Sequence, residues 1–402
     1  MTSHEPSAKP RVRMTRTGGR LRLSAWMAGM SAFLLAAACQ EAYQPLAPDA
    51  SASLNLGQAD TGPRSQLSLH VHRVAGSGDI GFSGDGGPAT GAQMSRAEGV
   101  DARPDGSLVI ADTYNNRIRI VGVDGKILTV AGTGAIGSGG DGGDAMEAQL
   151  FFPFDVAVGP RGEIYIADTY NQRIRMIDRS GTIRTVAGTG TAGSGGLGGP
   201  ATEAELRFPF GVDVSPDGRL LISDTFNNRV LTIDRRGNLQ LVAGTGERGF
   251  SGDGGPAEAA QLSIPYTARW GQAGKVYIAD TSNDRIRAVD RNGVIRTVAG
   301  TGERGFSGEG GPATEAMLAA PHTLAVDASG RVVIGDTNNR RLREIRPNGT
   351  LVTIAGNGVF GSAPSGTPAL EGPLHFRTGL VSPRPGVFVL AEAFNARVIE
   401  LR

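Results

Sequence analysis

The sequence predicts an all-β chain: a six-bladed β-propeller of four-stranded antiparallel blades, its ring closed by an N-terminal strand. Three observations predict it. The block Leu108-Val-Ile-Ala-Asp-Thr-Tyr-Asn-Asn-Arg-Ile-Arg-Ile-Val121 returns five more times, its acid falling at Asp112, Asp168, Asp224, Asp280, Asp336 and Glu392, so that a constant 56 residues separates each copy from the next. Each period carries four short apolar runs joined by turn residues, the pattern of an antiparallel meander repeated radially. The last period lacks its fourth run, and a run in phase with it stands near the N-terminus.

Taken in order, residues 1–38 read as a signal peptide of the lipoprotein type. A basic stretch (Arg11, Arg13, Arg16, Arg20, Arg22) precedes the apolar run Leu23 to Ala38, whose 16 residues fall short of the ~20 that span a bilayer as a helix. The run ends Leu-Leu-Ala-Ala-Ala-Cys and resembles a bacterial lipobox, with Leu35 one position further from the cysteine than that pattern places it. The resemblance implies acylation of Cys39, the sole cysteine of the chain. Gln40, where Asp favours inner-membrane retention, then implies the outer membrane in a Gram-negative cell. An ordinary secretory signal before an incidental cysteine is the plainer alternative. The expected location is extracytoplasmic, with membrane contact only through a lipid on Cys39. Residues 39–66, rich in Ala, Ser, Pro, Gln and Asp without apolar periodicity, read as a flexible linker.

Residues 67–402 are the repeat. In the second copy the four runs are Asp155 to Val158, Ile164 to Ala167, Arg173 to Ile177 and Ile183 to Ala187, with glycine-bearing turns at Gly162 and Gly181. The fourth-run ending Val-Ala-Gly places an alanine at Ala75, Ala131, Ala187, Ala243, Ala299 and Ala355, so the count closes on six blades. Leu69 to Gly76 supplies the fourth strand that the last blade lacks, leaving no open sheet edge. Composition agrees: 61 glycines, roughly twice the usual share, suit many tight turns. With 40 basic against 39 acidic residues the chain has no nucleic-acid footprint, and nucleic acid is not an expected partner.

The block Ile164-Tyr-Ile-Ala-Asp-Thr-Tyr-Asn-Gln-Arg-Ile-Arg and the glycine loop Gly244-Thr-Gly-Glu-Arg-Gly-Phe-Ser-Gly-Asp-Gly-Gly-Pro-Ala257 resemble NHL repeats, in the form similar to the teneurin propeller. The resemblance covers about residues 67–402. It weakens in the sixth copy, where Ala363 to Ala369 replaces the glycine loop and Glu392-Ala393 replaces Asp-Thr. It implies a propeller and leaves function open, since this fold serves binding, scaffolding and catalysis alike.

Candidate chemistry is weighed against structural duty. The Asn115 and Arg117 series recurs in every copy, so a hydrogen-bonded turn with Asp–Arg pairing accounts for it better than a ring of anion-binding arginines. The loop acids Asp85, Asp141, Asp253 and Glu309, interrupted by Leu197 and Ser365, offer one carboxylate each where calcium takes six or more oxygens. Specificity is expected where copies differ. At the start of the first strand, near the channel mouth, the ring reads Glu98, Phe154, Phe210, Tyr266, His322 and Thr378, with Asp155 beside it, which suits a part-apolar, part-polar ligand; plugging the channel is the alternative duty of the same residues.

Two enzyme types share the fold. Peptidylamidoglycolate lyases hold zinc through several histidines, and only His322 and His375 lie within the blades here. Gluconolactonase-like propellers use a Glu, Asn and Asp set around a metal, of which Glu98 matches one member. No cofactor, metal site or catalytic residue is assigned. The reading is an extracytoplasmic binding or scaffold protein, monomeric, holding a protein, glycan or cell-wall ligand on the upper face; the alternative is a metal-dependent hydrolase or lyase at the channel mouth.

Overall fold

The structure, a computed structural model, describes residues 69–377 and 379–402; the signal peptide, the linker, Cys39 and Thr378 lie outside the described residues. Six four-stranded antiparallel sheets form six blades. Blade 1 is β2 (Ala97–Ala102), β3 (Leu108–Asp112), β4 (Arg117–Val121) and β5 (Ile127–Ala131), and blades 2 to 5 repeat that order up to β21 (Leu351–Ala355). Blade 6 joins β22 (Leu380–Arg384), β23 (Val387–Glu392) and β24 (Arg397–Leu401) to β1 (Val71–Ala75), so the N-terminal strand closes the ring as the phase of the repeat requires. Val71 lies opposite Leu401, and His70 N donates to Arg402 O at 2.8 Å.

Alternation along each strand buries one set of side chains between neighbouring blades. Val109, Ile118 and Ala131 of blade 1 pack with Val156, Ile166 and Ile177 of blade 2, and every blade boundary holds an equivalent apolar cluster. Each fully buried Ile or Val contributes about 1.5–3 kcal/mol of transfer free energy. The glycine after each fourth strand has a steric cause. Gly188 sits at φ 93°, and a Cβ there would lie 3.1 Å from Arg173 Cα, so a side chain would be strained in both conformation and space.

The Asp-Thr-x-Asn turn is a short 3-10 turn ending in a left-handed residue, with φ between 46° and 55° at Asn116, Gln172, Asn228, Asp284, Arg340 and Ala396. Its acid caps the preceding chain: Asp112 Oδ1 accepts from Ser95 N at 2.8 Å, and Oδ2 accepts from Asn115 Nδ2 at 2.8 Å. Thr113 Oγ1 reaches the next blade, donating to Pro153 O at 2.7 Å. These bonds recur around the ring, which is why the turn recurs in the sequence.

The arginine partner differs from expectation. Arg117 turns outward to Asn115 O and Thr133 O and stacks 3.8 Å over Phe82. Arg119, two residues on and wholly buried, faces Asp112 at 3.5 Å and the loop acid Asp85 at 2.7 Å. Residues two apart share a face of the strand, so depth decides: Arg117 opens β4 at the turn and reaches out to the loop after β5, and Arg119, two residues further in, is enclosed between Asp112 and Asp85. The same triplet occurs with Arg175, Arg287 and Arg343. Where Leu231 and Ile399 occupy that place, the loop acid is also missing, at Leu197 and Ser365, and the earlier arginine swings inward: Arg229 to Asp224, and Arg397 to Glu392. The loop carboxylates therefore neutralise buried guanidinium groups.

Candidate functional site

The turns and the long loops before each first strand open on one face, the upper face, around the channel mouth. There the first strand is irregular: pairing shifts between Ala97 and Val100, between Pro153 and Asp155, and at matching positions of blades 3 and 4. Just before it, Phe152, Phe208, Ile264 and Ala320 adopt left-handed backbone with φ of 44–51°. This conformation, costly for a bulky residue, is held from the preceding blade. Phe152 N donates to Asn116 Oδ1 (2.9 Å), Phe208 N to Gln172 Oε1 (2.6 Å), Ile264 N to Asn228 Oδ1 (3.0 Å) and Ala320 N to Asp284 Oδ1 (2.6 Å).

The structure brings four of the expected mouth residues into one arc. Phe154 meets Phe210 edge-on with centroids 4.6 Å apart, Phe210 meets Tyr266 at 4.8 Å, and Tyr266 meets the His322 ring at 4.5 Å. Phe154, Phe210 and Tyr266 are buried, so the arc closes the channel from above. Glu98 is wholly buried beneath Arg96, which lies 3.4 Å from its carboxylate. Asp155 is wholly buried one layer down, its Oδ2 accepting from Val212 N (3.1 Å) and Arg269 (3.2 Å). The layer below the arc is narrow: a Cβ on Gly99 would lie 2.6 Å from Asp155 Cα, and one on Gly211 2.7 Å from Tyr266 O.

The layer above is built from positions outside the expected set. Tyr114, Tyr170, Phe226 and Phe394 are the variable x of the Asp-Thr-x-Asn turn, and Arg96, Phe152 and Phe208 precede the strand. Rings run in series: Tyr114 to Phe152 (4.8 Å), Phe152 to Tyr170 (5.1 Å), Tyr170 to Phe208 (5.2 Å) and Phe208 to Phe226 (5.4 Å). On the opposite side His375 lies between Phe360 (4.3 Å) and Phe394 (4.4 Å), with Arg96 4.1 Å over Phe394. Burial, aided by Arg340 and Arg96, pushes the His375 imidazole down to about 4. Burial and Arg377 push His322 well below its ordinary range. The signal for the turn positions was present in the sequence, since the x of the turn changes from copy to copy while the Asn that follows it does not.

A second polar cluster occupies the lower channel, one the mouth ring gave no hint of. Asp101, Asp213 and Arg269 come from matching positions of blades 1, 3 and 4 and border a cavity of about 80 Å³ walled by Val100, Val212 and Val381. Asp101 accepts from Val158 N (2.7 Å), and Asp213 from Trp270 N (2.7 Å), so each carboxylate ties its blade to the next. Burial raises Asp101 to about 7 and Asp213 to about 6. Among the described residues no three His, Cys, Asp or Glu side chains are placed to hold a metal ion. Neither the lyase nor the gluconolactonase ligand set fits, and no metal-dependent step is derived.

The family profile of the Teneurin NHL domain matches residues 131–196 and 230–307. The chain is similar to the chloroplastic protein SUPPRESSOR OF QUENCHING 1 of Arabidopsis thaliana, 30% identical over 296 residues, covering 69% of this chain and 27% of that protein. It is also similar to Teneurin-1 of Mus musculus, 32% identical over 234 residues, covering 52% of this chain and 8% of that protein. The chain thus spans a minor part of the length of these relatives. Among solved structures, an auxiliary nutrient binding protein from Bacteroides thetaiotaomicron superposes with a TM-score of 0.59 at 15% identity, covering 83% of this chain and 76% of that one. That likeness is one of fold.

Proposed function

We propose that this NHL-repeat β-propeller is an extracytoplasmic binding or scaffold protein that holds a protein, glycan or cell-wall ligand on its upper face. One observation carries the reading: the copies agree wherever the fold needs them to, and several large exposed side chains that differ between copies stand on that face. Tyr114 and Phe394 stand 40% and 42% exposed beside the mouth, and the loop tips add Ile80 and Phe360 at 72% and 56%. Exposed apolar groups collected on one face mark interaction surfaces. A catalytic reading at Glu98 and His322 is not favoured, because the Glu98 carboxylate is wholly buried beside Arg96.

The lipid anchor at Cys39 that the sequence implies is part of the same proposal. The test uses the full chain in two assays. Cys39→Ser should release it from the membrane fraction; persistence there would remove the anchor from the reading. Tyr114→Ala together with Phe394→Ala should abolish retention of envelope proteins, glycans and cell-wall fragments on the immobilised protein without changing Tm, and retention by that variant equal to the parent would overturn the upper face as the binding surface.

A further inference from the structure

The two halves of the upper mouth differ in chemistry. Over blades 1 to 3 the surface is aromatic, built by Phe152, Tyr170, Phe208 and Phe226 in series above the closed arc. Between blades 4, 5, 6 and 1 it is cationic. Arg377 Nη2 donates to Tyr266 Oη at 2.9 Å with its guanidinium 5.5 Å over the ring, and Arg96 lies over Phe394. Arg340 and Arg304 complete that side, and the acids there are paired: Glu98 is buried beneath Arg96, Asp284 is held by Arg304, and Glu392, which accepts from His375 N, is held by Arg397. The two imidazoles there are kept neutral by burial and by those arginines.

On that side Asn338 Oδ1 and His375 Nδ1, 8% and 4% exposed, have no hydrogen-bond partner. Buried polar atoms are ordinarily hydrogen-bonded, so the pair suits a bound group. A neutral imidazole has one N–H to donate, and a flipped Asn338 amide presents N–H in place of its oxygen.

We propose that the upper mouth is a site for a small organic anion with a flat apolar body, an arylcarboxylate in its simplest form. The body lies on Phe152, Tyr170 and Phe208, and the carboxylate turns toward Arg377, Arg96 and the donors of blades 5 and 6. Guanidinium–carboxylate pairing supplies the charge and planar geometry. An acidic sugar has the charge but fits the other half poorly, because there only the Tyr114 and Tyr170 hydroxyls can answer a ring of hydroxyls. The proposal rests on the reading that the upper face binds ligands, and adds the class.

The test is calorimetric titration of the full chain with 1-naphthoate, 1-naphthamide, 1-naphthylmethylammonium and glucuronate. Naphthoate should bind at least about tenfold more tightly than the amide or the ammonium, with no detectable binding of glucuronate. Arg377→Gln should erase the preference for naphthoate while leaving the amide affinity and Tm in place, and Phe208→Ala should weaken naphthoate and amide alike. Equal affinity for the three naphthyl probes, tighter binding of glucuronate, or no binding of naphthoate would overturn the proposal. If naphthoate fails while envelope retention through Tyr114 and Phe394 persists, the anion site falls alone; if both fail, the upper-face reading falls with it.

Discussion

Arg229 Nε donates to Asp224 Oδ2 at 2.8 Å, in a blade where Leu231 stands at the position that supplies the buried arginine of blades 1, 2, 4 and 5. Blade 3 shows what happens when that arginine and its loop acid are both missing: the arginine two residues earlier leaves the surface and neutralises the buried turn acid.

Arg119→Leu should therefore be milder than the loss of a buried ion-pair partner usually is. Removing one member of a buried pair costs roughly 3–5 kcal/mol, and Arg117 is placed to swing inward as Arg229 does. The expected cost is about 2 kcal/mol, rising toward the full penalty in an Arg117→Leu, Arg119→Leu double variant. Denaturant unfolding of the three proteins checks it, and equal midpoints for the single and double variants would refute the compensation.

Opening the ring should be costlier than any surface change. Val71 is wholly buried and pairs with Leu401. Val71→Asp places a carboxylate in that apolar boundary, and a loss of more than about 3 kcal/mol is expected. Differential scanning calorimetry would register it as a large fall in Tm, whereas Arg73→Ala on the same strand, with a part-exposed side chain, should shift Tm little.

The plug and the platform should separate experimentally. Phe210 is 2% exposed within the closed arc, so Phe210→Ala should cost about 3–5 kcal/mol through the cavity it leaves. Phe208, two residues away and only half-buried, should cost less than half of that. A thermal melt of each variant decides; similar losses would mean that the two aromatic layers are one core.

Stability should rise on mild acidification. Asp101 and Asp213 carry folded-state values raised to about 7 and about 6 by burial, above the ordinary 3.8. The folded state thus binds protons more readily than the unfolded chain, and the benefit is present in full below about 4 and lost as pH rises through 6 to 7. His322 and His375 act in the opposite sense, their depressed values favouring the fold above 6.5 and withdrawing that support toward about 4. Asp168, raised to about 7, and Asp112, Asp280 and Asp336, raised to about 6, act in the same sense as Asp101 and Asp213 and outweigh the two histidines, so Tm should be higher at pH 6 than at pH 7.5, and an Asp101→Asn, Asp213→Asn variant should narrow the difference. A parent protein whose Tm is unchanged or lower at pH 6 would contradict the assignment.

Blade number, strand order and the closing strand were all legible in the sequence, because phase in a repeat maps directly onto place in a ring. The arginine that pairs with the turn acid was not. Arg117 and Arg119 lie two apart on one face of β4, so alternation does not separate them and only their depth along the strand does. The joint loss of Asp85-type and Arg119-type residues in two copies was present in the sequence, but it becomes meaningful once the two positions, 34 residues apart, are seen in contact. At the mouth, the ring from Phe154 to His322 was found, and its burial matches the plugging duty that the sequence offered as the alternative. Side chains one layer up cover it, Tyr170 from the turn and Phe208 from left-handed backbone that no composition signal announces.

The closing strand also sets a condition on how the chain is made. β1 leaves the ribosome first and cannot be placed until β24, some 320 residues later, has been synthesised. Until then five blades can stack while Val71 and its neighbours wait unpaired. Loop-closure entropy grows slowly with length, so the cost is modest in equilibrium terms and large in time, and a growing chain exposes one apolar sheet edge throughout its synthesis. A chaperone that shields that edge, or export in an unfolded state, would protect this protein during the interval in which its ring is still a horseshoe.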